Sequence, residues 1–330
     1  MGPKDFLPAG LACFREPRYD ARDMPTTFDA PDQIVIDVHE KQTLLNASLA
    51  AGIPHTHVCG GNARCSTCRV IVLEGLENVD PPNAEERMLA ERLGLPREVR
   101  IACQATVRGP TRVRRLVLDE DDVALVSRLR KAKVELTPIG EELRVAILFS
   151  DIRGFTPFSE SLLPYDVIHV LNRYFEAVGA TIVSQGGFIN NYMGDGFMAL
   201  FGVDGQPEAA LRAVRSAIAM LDLMQSKISP YLVRTYGRTF DVGIGIHYGE
   251  AVAGPIGSAD RKTVTAIGDA VNFASRIESA NKEVGTRLLI SDATYREIAD
   301  RVVVGKTASV QVKGKTGDYL LHEITGLADT

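Results

Sequence analysis

The chain has 330 residues, of which 45% are hydrophobic and 24% are charged, a composition typical of a globular protein with room for two domains. Its formal net charge of −5 gives no reason to expect nucleic-acid binding through a broad basic surface. No apolar run approaches the roughly 18 residues that indicate a membrane span, and the N-terminus lacks the apolar core of a signal peptide.

The first third of the chain predicts a small mixed sheet with short helices. Residues 1–27 are polar and interrupted by prolines, which predicts a loose leader. Alternation of apolar residues from Ile34 to Val38 predicts a strand, and Thr43 is suited to cap a short helix through Ala51. The next predicted elements are a strand over 69–73, a helix over 84–93 between an Asn83 cap and Gly94, and two strands within 101–118.

Four of the five cysteines form one pattern, C-x5-C-x2-C-x34-C, made by Cys59, Cys65, Cys68 and Cys103. Without an export signal, such clustering favours metal binding over disulfides. Cys13 stands apart and is interpreted as a spare thiol. Structural zinc prefers two CxxC pairs or Cys/His pairs, and only one CxxC is present, so zinc and inert thiols are the less favoured alternatives.

The cysteine pattern resembles that of [2Fe–2S] ferredoxins. The first gap holds five residues rather than the four of plant-type ferredoxins, which is similar to the adrenodoxin-like branch. The resemblance covers residues 28–118 and implies a β-grasp domain in which the four cysteines hold a [2Fe–2S] cluster. His55 and His57 lie close to the first ligand and are interpreted as ordinary loop residues that tune the cluster at most.

Residues 119–140 are predicted to form a helical linker. The segment begins with an acidic run, which suits a helix N-terminus. Apolar residues then recur at helical spacing, at Leu125, Leu129, Ala132 and Leu136. Two interpretations stay open, a short helix docked on either domain and a parallel dimer helix that transmits domain orientation.

The remaining chain alternates strands and helices, which predicts layered α/β structure. In chain order the predicted elements are a strand over 145–149, a helix over 164–184, a hairpin over 190–201, a helix over 207–227, a strand over 242–247, a helix over 270–283, and strands near 287–290 and 309–324. Asp151 follows the first strand, and Asp195 occupies the hairpin turn. Two carboxylates on rigid positions are suited to hold two divalent metals against an anionic phosphate substrate.

Three segments resemble the active-site motifs of class III nucleotidyl cyclases: Leu148–Thr156, Asn191–Gly196 and Ile267–Arg276. The resemblance implies a ferredoxin-like α/β cyclase domain over 141–330, and hence an α+β two-domain protein. It implies metal binding (Mg²⁺ or Mn²⁺) by Asp151, Asp195 and the Ile152 carbonyl, catalytic roles for Asn272, Arg276 and Lys313, and substrate binding by Phe155, Thr156, Asn191 and Thr265. In this family the metal-binding aspartates come from one subunit and the catalytic Asn, Arg and Lys from the other, which implies a homodimer.

Base selection departs from the family pattern. Adenylate-type members place a Lys where this chain has Asn191, and guanylate-type members place an acidic residue there. A carboxamide carries both donors and an acceptor, so it suits either base edge. Thr265 is common at its position in bacterial adenylate-type members, and no acidic residue selects guanine, so ATP is favoured.

These observations predict an adenylate cyclase that converts ATP to 3′,5′-cyclic AMP and pyrophosphate at a homodimer interface, under control of the cluster's redox state. The expected partners are ATP, a second copy of the chain and an electron donor, without nucleic acid. A cytoplasmic location is expected, with the soluble part of a membrane-attached protein as the alternative. Alternative functions are a guanylate or dual-specificity cyclase, a cyclase with a purely structural cluster, and an electron-transfer protein that uses the cyclase domain for dimerisation.

Overall fold

The structure is a computed structural model, and it describes residues 24–28, 33–117, 140–258, 262–311 and 317–328. The chain divides into two compact units, Met1–Ile139 and Gly140–Thr330. Cys13, the linker helix predicted within 119–139 and Lys313 lie outside the described residues. No helix in the described ranges has both the length and the apolar character needed to cross a membrane.

The first unit contains a five-stranded mixed sheet in the order β2-β1-β5-β3-β4. Its strands are β1 (Met24–Phe28), β2 (Ile34–Val38), β3 (Arg69–Glu74), β4 (Val99–Ile101) and β5 (Thr111–Arg115). β1 pairs antiparallel with β2 and parallel with β5. Residues 24–27 therefore belong to the sheet, which corrects their assignment to a loose leader. Their strand conformation depends on pairing with a segment more than eighty residues away, which no local periodicity reveals.

Two helices of the first unit begin and end where their capping residues predict. In α1 (Leu44–Ala50) the Thr43 hydroxyl accepts a hydrogen bond from the Asn46 N–H at 3.2 Å. α2 (Ala84–Leu93) begins with the side chain of Asn83, which accepts from the Glu86 N–H at 2.8 Å. It ends at Gly94, which adopts a left-handed φ of 61°. A short 3-10 turn spans Leu76–Asn78.

A buried ion pair joins α2 to the strand that leads to the fourth cysteine. Glu86 and Arg100 are almost fully buried and form two hydrogen bonds of 2.8 Å. Glu86 also accepts from the backbone N–H of Ile101 at 2.9 Å. Because the pair is bidentate and further hydrogen-bonded, it fixes the position of β4. Cys103 lies two residues after the end of β4, so the ion pair also helps to fix the position of Cys103.

The second unit is built on an eight-stranded sheet in the order β12-β13-β11-β9-β6-β8-β7, with β10 paired to β9. Its strands are β6 (Glu141–Arg153), β7 (Gly187–Met193), β8 (Gly196–Phe201), β9 (Asp241–Gly257), β10 (Lys262–Ile267), β11 (Leu288–Ser291), β12 (Val302–Gln311) and β13 (Asp318–Leu327). β6 and β9 pair antiparallel along their length, and β11 pairs parallel with β9. β9 is 17 residues long, much longer than the predicted strand over 242–247.

The helices of the second unit are α3 (Phe155–Glu160), α4 (Pro164–Ser184), α5 (Ala209–Leu223), α6 (Ser229–Tyr236), α7 (Asp269–Val284) and α8 (Asp292–Ile298), with a π-helical turn at Met224–Ile228 and a 3-10 turn at Ala299–Arg301. The bounds predicted for α4 are confirmed. The helix predicted over 207–227 instead begins at Ala209 and is continued by the π turn and α6. Pro230 lies just after the π turn, and because it has no backbone N–H it cannot donate a hydrogen bond to the preceding turn.

Both faces of the central sheet are covered by helices, and alternation along β6 decides which residues face which layer. Ala146 and Leu148 pack in a large cluster with residues of α4 and α5. Val145 and Ile147 pack on the opposite face with Ala270 and Ala274 of α7. All four β6 side chains are fully buried. A strand buried on both faces reads as a continuous apolar run, which explains the sequence from Val145 to Phe149.

Candidate active site and cysteine centre

Asp151 lies near the end of β6, where the buried strand reaches the edge of the core. It pairs in register with Gly243 of β9, and its side chain remains 36% exposed. The next residue, Ile152, is 3% exposed and packs in the core. The structure therefore fixes the backbone on which the predicted metal-binding groups of Asp151 and Ile152 depend.

Asp195 occupies the two-residue turn between β7 and β8, beside Asp151. Gly194 takes a left-handed φ of 70° in that turn, which a hairpin of this kind requires. A Cβ built on Gly196 would lie 3.0 Å from Asp151 Oδ1 and 2.8 Å from the Ser150 carbonyl oxygen. Glycines on both sides of Asp195 thus let the hairpin turn approach the end of β6.

The two aspartates influence each other electrostatically. Burial raises the pKa of Asp151 above its ordinary value, and the negative charge of Asp195 raises that pKa further. The positive charge of Lys282 and a hydrogen bond from the Ile152 N–H lower the pKa of Asp151 and so partly oppose this rise. Such a pair is stabilised in its ionised form by a cation between the carboxylates. The donor set is hard oxygen, which suits Mg²⁺ or Mn²⁺.

Two charged residues that sequence reasoning did not assign to the site, Lys282 and Glu278, lie close to Asp151, and Arg153 lies close to Glu278. Lys282 Nζ lies 3.9 Å from Asp151 Oδ2. Glu278 is 7% exposed. Its side chain and that of Arg153 both approach Gly243, since a Cβ added to this glycine would lie 2.6 Å from Glu278 Oε1 and 3.1 Å from Arg153 Nε. Burial, followed by the charge of Asp151, raises the pKa of Glu278 to about 7. The four-residue spacing of Glu278 and Lys282 along α7 was the available sequence signal.

Asn272 and Arg276 lie one turn apart on α7, as predicted, but on a different side of that helix from Glu278. At about 100° per residue, Arg276 and Glu278 point about 160° apart around the helix axis. Asn272 is exposed and Arg276 half-buried. One side of α7 therefore supports Asp151 of its own chain, while another side presents Asn272 and Arg276 elsewhere. Among the hydrogen bonds and ion pairs of the described residues, none joins Asn272 or Arg276 to Asp151 or Asp195.

The predicted substrate-binding residues lie on three separate elements, α3, β7 and β10. Phe155 and Thr156 form the first turn of α3, directly after Gly154, whose φ is 69°. Thr156 is exposed, and Phe155 packs beside Phe158 with ring centroids 6.4 Å apart. Asn191 is exposed on β7, where a bulge interrupts the pairing between Ile189 and Asn191.

Thr265, on β10, has a hydrogen-bond partner that the sequence did not indicate. Its hydroxyl donates to Asn190 Oδ1 at 3.0 Å, and Asn190 Nδ2 donates to the Val264 carbonyl oxygen. The neighbour of Asn191, rather than Asn191 itself, therefore contacts Thr265. No feature of the sequence signalled this contact, because it depends on the β7 bulge and on β10 lying beside β7.

The four cysteines of the predicted cluster pattern meet as two pairs, Cys59 with Cys65 and Cys68 with Cys103. A hydrogen bond from the Cys65 thiol lowers the pKa of Cys59 to about 5, and the backbone N–H groups of residues 61, 62 and 64 lower it further. The Cys68 thiol and Gln104 lower the pKa of Cys103 to about 7. The pKa values of Cys65 and Cys68 are raised by the same contacts.

The loop around these thiols fits an iron–sulfur cluster. Gly60, Gly61 and Ala63 all adopt positive φ, at 68°, 88° and 53°. These conformations turn backbone N–H groups of the loop toward Cys59, and the N–H of Ala63 toward Cys103. Thiolates that accept backbone hydrogen bonds are what a [2Fe–2S] cluster requires of its ligands. Cys59, Cys65, Cys68 and Cys103 are the residues that would hold it.

The two histidines lie in an irregular segment, as interpreted from the sequence, but they are buried. His55 and His57 are each 4% exposed. His55 Nδ1 lies 2.8 Å from Ser48 Oγ, and its Nε2 lies 3.3 Å from the Cys68 carbonyl oxygen. Burial, followed by the charge of Arg115, lowers the pKa of His55 to about 3. A neutral imidazole therefore links α1 to the segment that carries Cys68.

Comparison with known families agrees with both units. The model of the adenylate and guanylate cyclase catalytic domain matches residues 139–325, and the model of the 2Fe-2S iron-sulfur cluster binding domain matches residues 27–108. An adenylate cyclase of Anabaena cylindrica is 39% identical over 186 residues, which cover 55% of this chain and 36% of that protein. The chain thus spans only about a third of the length of this curated relative.

Two solved structures resemble the second unit. The guanylyl cyclase Cya2 superimposes with a TM-score of 0.54 and 36% identity, covering 58% of this chain and 95% of that one. The adenylyl cyclase CyaB from P. aeruginosa gives a TM-score of 0.52 and 29% identity, covering 58% of this chain and 96% of that one. Both similarities lie in the half of the chain that carries Asp151 and Asp195.

Proposed function

Because the chain belongs to the adenylate and guanylate cyclase catalytic domain family, we propose that it is an adenylate cyclase that forms 3′,5′-cyclic AMP and pyrophosphate from ATP. The observation that carries this proposal is the approach of the Asp195 turn to Asp151, made possible by Gly196. Two mutually repelling carboxylates at the edge of a rigid core are suited to hold two divalent cations. The metals, when bound, would acidify the ribose 3′-hydroxyl and neutralise the phosphates.

The protein's own residues then position the nucleotide for attack of the 3′-oxygen on the α-phosphate. Asn272 orients the ribose, and the Arg276 guanidinium stabilises the charge that develops on the α-phosphate. Backbone N–H groups of Phe155 and Thr156 face the phosphates, and Lys313 holds the terminal phosphates before pyrophosphate leaves.

We propose that the active unit is a homodimer with two sites at its interface. The orientation of α7 supports this, since Arg276 points about 160° away from Glu278, which lies beside Asp151 of the same chain. A second copy of the chain placed by a two-fold axis would supply Asn272, Arg276 and Lys313 to these aspartates. The same axis would generate a second, identical site.

We propose that the cysteines of the domain over 28–118 hold a [2Fe–2S] cluster whose redox state sets the cyclase rate. Reduction would add one electron to a cluster ligated by Cys59, Cys65, Cys68 and Cys103. The linker over 119–140 would carry the resulting change to the catalytic domain. A coupling of about 1–3 kcal/mol is typical where such regulation exists.

The test is product formation from ATP and, separately, from GTP by anaerobically purified full-length protein, before and after reduction with dithionite. We expect cyclic AMP as the main product, with a rate that changes several-fold on reduction. Asp151→Asn should lower the rate at least about a thousandfold, and Asp222→Asn, an exposed change on α5, should not. Cys68→Ser should remove both the visible cluster absorption and the response to dithionite.

Each component of the proposal has its own contrary outcome. If cyclic GMP were the main product, the protein would be a guanylate cyclase, the alternative that its similarity to Cya2 favours. Equal rates in the two redox states would make the cluster structural. Absence of product from both nucleotides would leave a dimerisation domain attached to an electron carrier.

A further inference from the structure

We propose that Asn190 is a specificity-determining residue of the nucleotide site, because it fixes the proton of the Thr265 hydroxyl and so makes Thr265 an acceptor for the 6-amino group of adenine. The inference rests on the proposed function and deepens it, since it names the feature that separates ATP from 6-oxo purine nucleotides. Asn190 belongs to none of the residues that the family resemblance assigned to the site.

The position of Asn190 follows from the bulge in β7. Pairing with β8 shifts register between Ile189 and Asn191, so Asn190 is the residue left out of the ladder. Its half-buried side chain reaches β10. There Nδ2 donates to the Val264 carbonyl oxygen, and Oδ1 lies 3.0 Å from Thr265 Oγ1.

These two contacts determine the orientation of the Asn190 amide. A backbone carbonyl oxygen only accepts, so the NH₂ end must face Val264. The opposite orientation would place the amide oxygen against the Val264 carbonyl oxygen, two acceptors in contact. Oδ1 therefore faces Thr265, and because Oδ1 also only accepts, the Thr265 hydroxyl must donate its proton to it.

A hydroxyl has a single proton, so Thr265 has only lone pairs left for a nucleotide. Adenine presents a 6-amino donor, whereas guanine and hypoxanthine present a 6-oxo acceptor. The 6-amino group of adenine can donate to a lone pair of Thr265, whereas a 6-oxo group would place a second acceptor against that lone pair. Asn191 offers both donors and an acceptor and suits N1 of either base, so discrimination depends on the Thr265 proton. A site that leaves a buried polar group unpaired discriminates strongly.

Without Asn190, the Thr265 hydroxyl would be free to rotate and donate to a 6-oxo group. Asn190→Leu keeps the approximate volume of the side chain and removes both hydrogen bonds, and Asn190→Ala is a second variant if Leu disturbs folding. Thr265→Val removes the acceptor itself with little change in shape. Thr263→Val, two residues away on the exposed part of β10, is the matched control.

The experiment measures kcat and KM of each full-length variant with ATP and with inosine triphosphate, which carries the 6-oxo group without the 2-amino group of guanine. We expect Asn190→Leu to lower the ratio of kcat/KM for ATP to that for inosine triphosphate about tenfold or more. Thr263→Val should keep the wild-type ratio. In a Thr265→Val background, Asn190→Leu should change the ratio little further, because both residues act through one hydroxyl. Thermal melting of each variant verifies that it is folded.

An unchanged ratio in folded Asn190→Leu and Asn190→Ala would overturn the inference while leaving the cyclase function intact. So would an equal effect of Asn190→Leu with and without the Thr265 hydroxyl, since Asn190 would then act by another route. If the wild-type protein forms no cyclic product from either nucleotide, the proposed function fails, and this inference fails with it.

Discussion

The carboxyl groups of Asp151 and Glu278, around the end of β6, lie in surroundings that disfavour their ionised forms. A bound metal cation is suited to offset this effect. Asp151 has a raised pKa because of burial and the neighbouring charge of Asp195. Glu278 has a pKa of about 7 because of burial and the charge of Asp151. In the described part of the chain, Glu278 Oε1 and two nitrogens of Arg153 are buried without hydrogen-bond partners. Each unsatisfied buried group calls for a physical explanation, and strongly shifted pKa values are common at functional sites.

The raised pKa of Glu278 predicts a specific pH dependence of stability. A carboxyl group with a folded-state pKa of about 7 and an ordinary value of 4.5 contributes stability below pH 4.5. That contribution is lost as the pH rises through 7, because the unfolded chain releases the proton first. Glu278→Gln removes the titration. The free energy of unfolding of the wild type should therefore fall, relative to Glu278→Gln, by about 1–2 kcal/mol between pH 4.5 and 7.5 after allowance for solvent screening.

The measurement is urea unfolding of the two full-length proteins at a series of pH values, followed by far-UV circular dichroism. Groups that do not interact with Glu278 titrate alike in both proteins and cancel in the difference, so the difference reports Glu278 and its coupling to Asp151. Parallel profiles over this pH range would show that Glu278 titrates normally.

Among the elements, α7 is the one whose position decides which side chains reach Asp151. Gly243 and Gly245 of β9 allow the helix to lie close to that strand. A Cβ built on Gly245 would lie 2.1 Å from the Glu278 backbone nitrogen. Asn281 then ties the helix to β9, because its Nδ2 donates to the Ile244 carbonyl oxygen at 2.9 Å. Its Oδ1 accepts from Thr286 at 2.9 Å. The helix thus lies directly on the strand backbone, which holds Glu278 and Lys282 close to Asp151.

Gly245→Ala is predicted to force α7 away from β9. Because the new methyl group would overlap backbone atoms, which cannot rotate away, the free energy of unfolding should fall by at least about 3 kcal/mol. The cyclase rate should fall as well, since Asp151, Asn272 and Arg276 all depend on this contact. Gly326→Ala on β13 is the control, because a Cβ there has no atom within 4 Å. Chemical denaturation of both variants tests this, and equal stability would mean that α7 adapts.

At the scale of the whole molecule, the proposed homodimer would use the two sides of α7 in two different sites. The side with Glu278 serves the aspartates of its own chain, and the side with Asn272 and Arg276 faces elsewhere. In that dimer, a single chain would contribute one half to each of the two sites. In the proposed homodimer, activity would be a property of the dimer.

Mixing two inactive variants is predicted to restore activity. Asp151→Asn damages the aspartate half of a site, and Arg276→Ala damages the other half. Random exchange makes half of all dimers mixed, and each mixed dimer has one intact site of two, so about a quarter of the wild-type rate should return. Mixing Asp151→Asn with Asp195→Asn is the control, since both changes affect the same half and no intact site can form. The same low rate in both mixtures would place the complete site within one chain.

Much of the local structure was predictable because it depends on neighbouring residues. The caps at Thr43 and Asn83, the Gly94 termination and the bounds of α4 follow from side chains within one turn of each helix end. Features that depend on distant pairing were missed. Residues 24–27 form a strand only because β2 and β5 lie beside them, and β9 extends to Gly257 only because β6 and β10 pair with it.

For the site, the sequence by itself determined the chemical groups: two carboxylates, an Asn–Arg pair one helical turn apart, and four cysteines with cluster spacing. These depend on residue type and on separation along the chain, which sequence displays directly. Only the tertiary structure decided which groups meet. Lys282 and Glu278 reach Asp151, and Asn190 rather than Asn191 reaches Thr265. Such contacts arise where a helix crosses a strand or a bulge turns a side chain, and their geometry is set by packing between segments far apart in the chain.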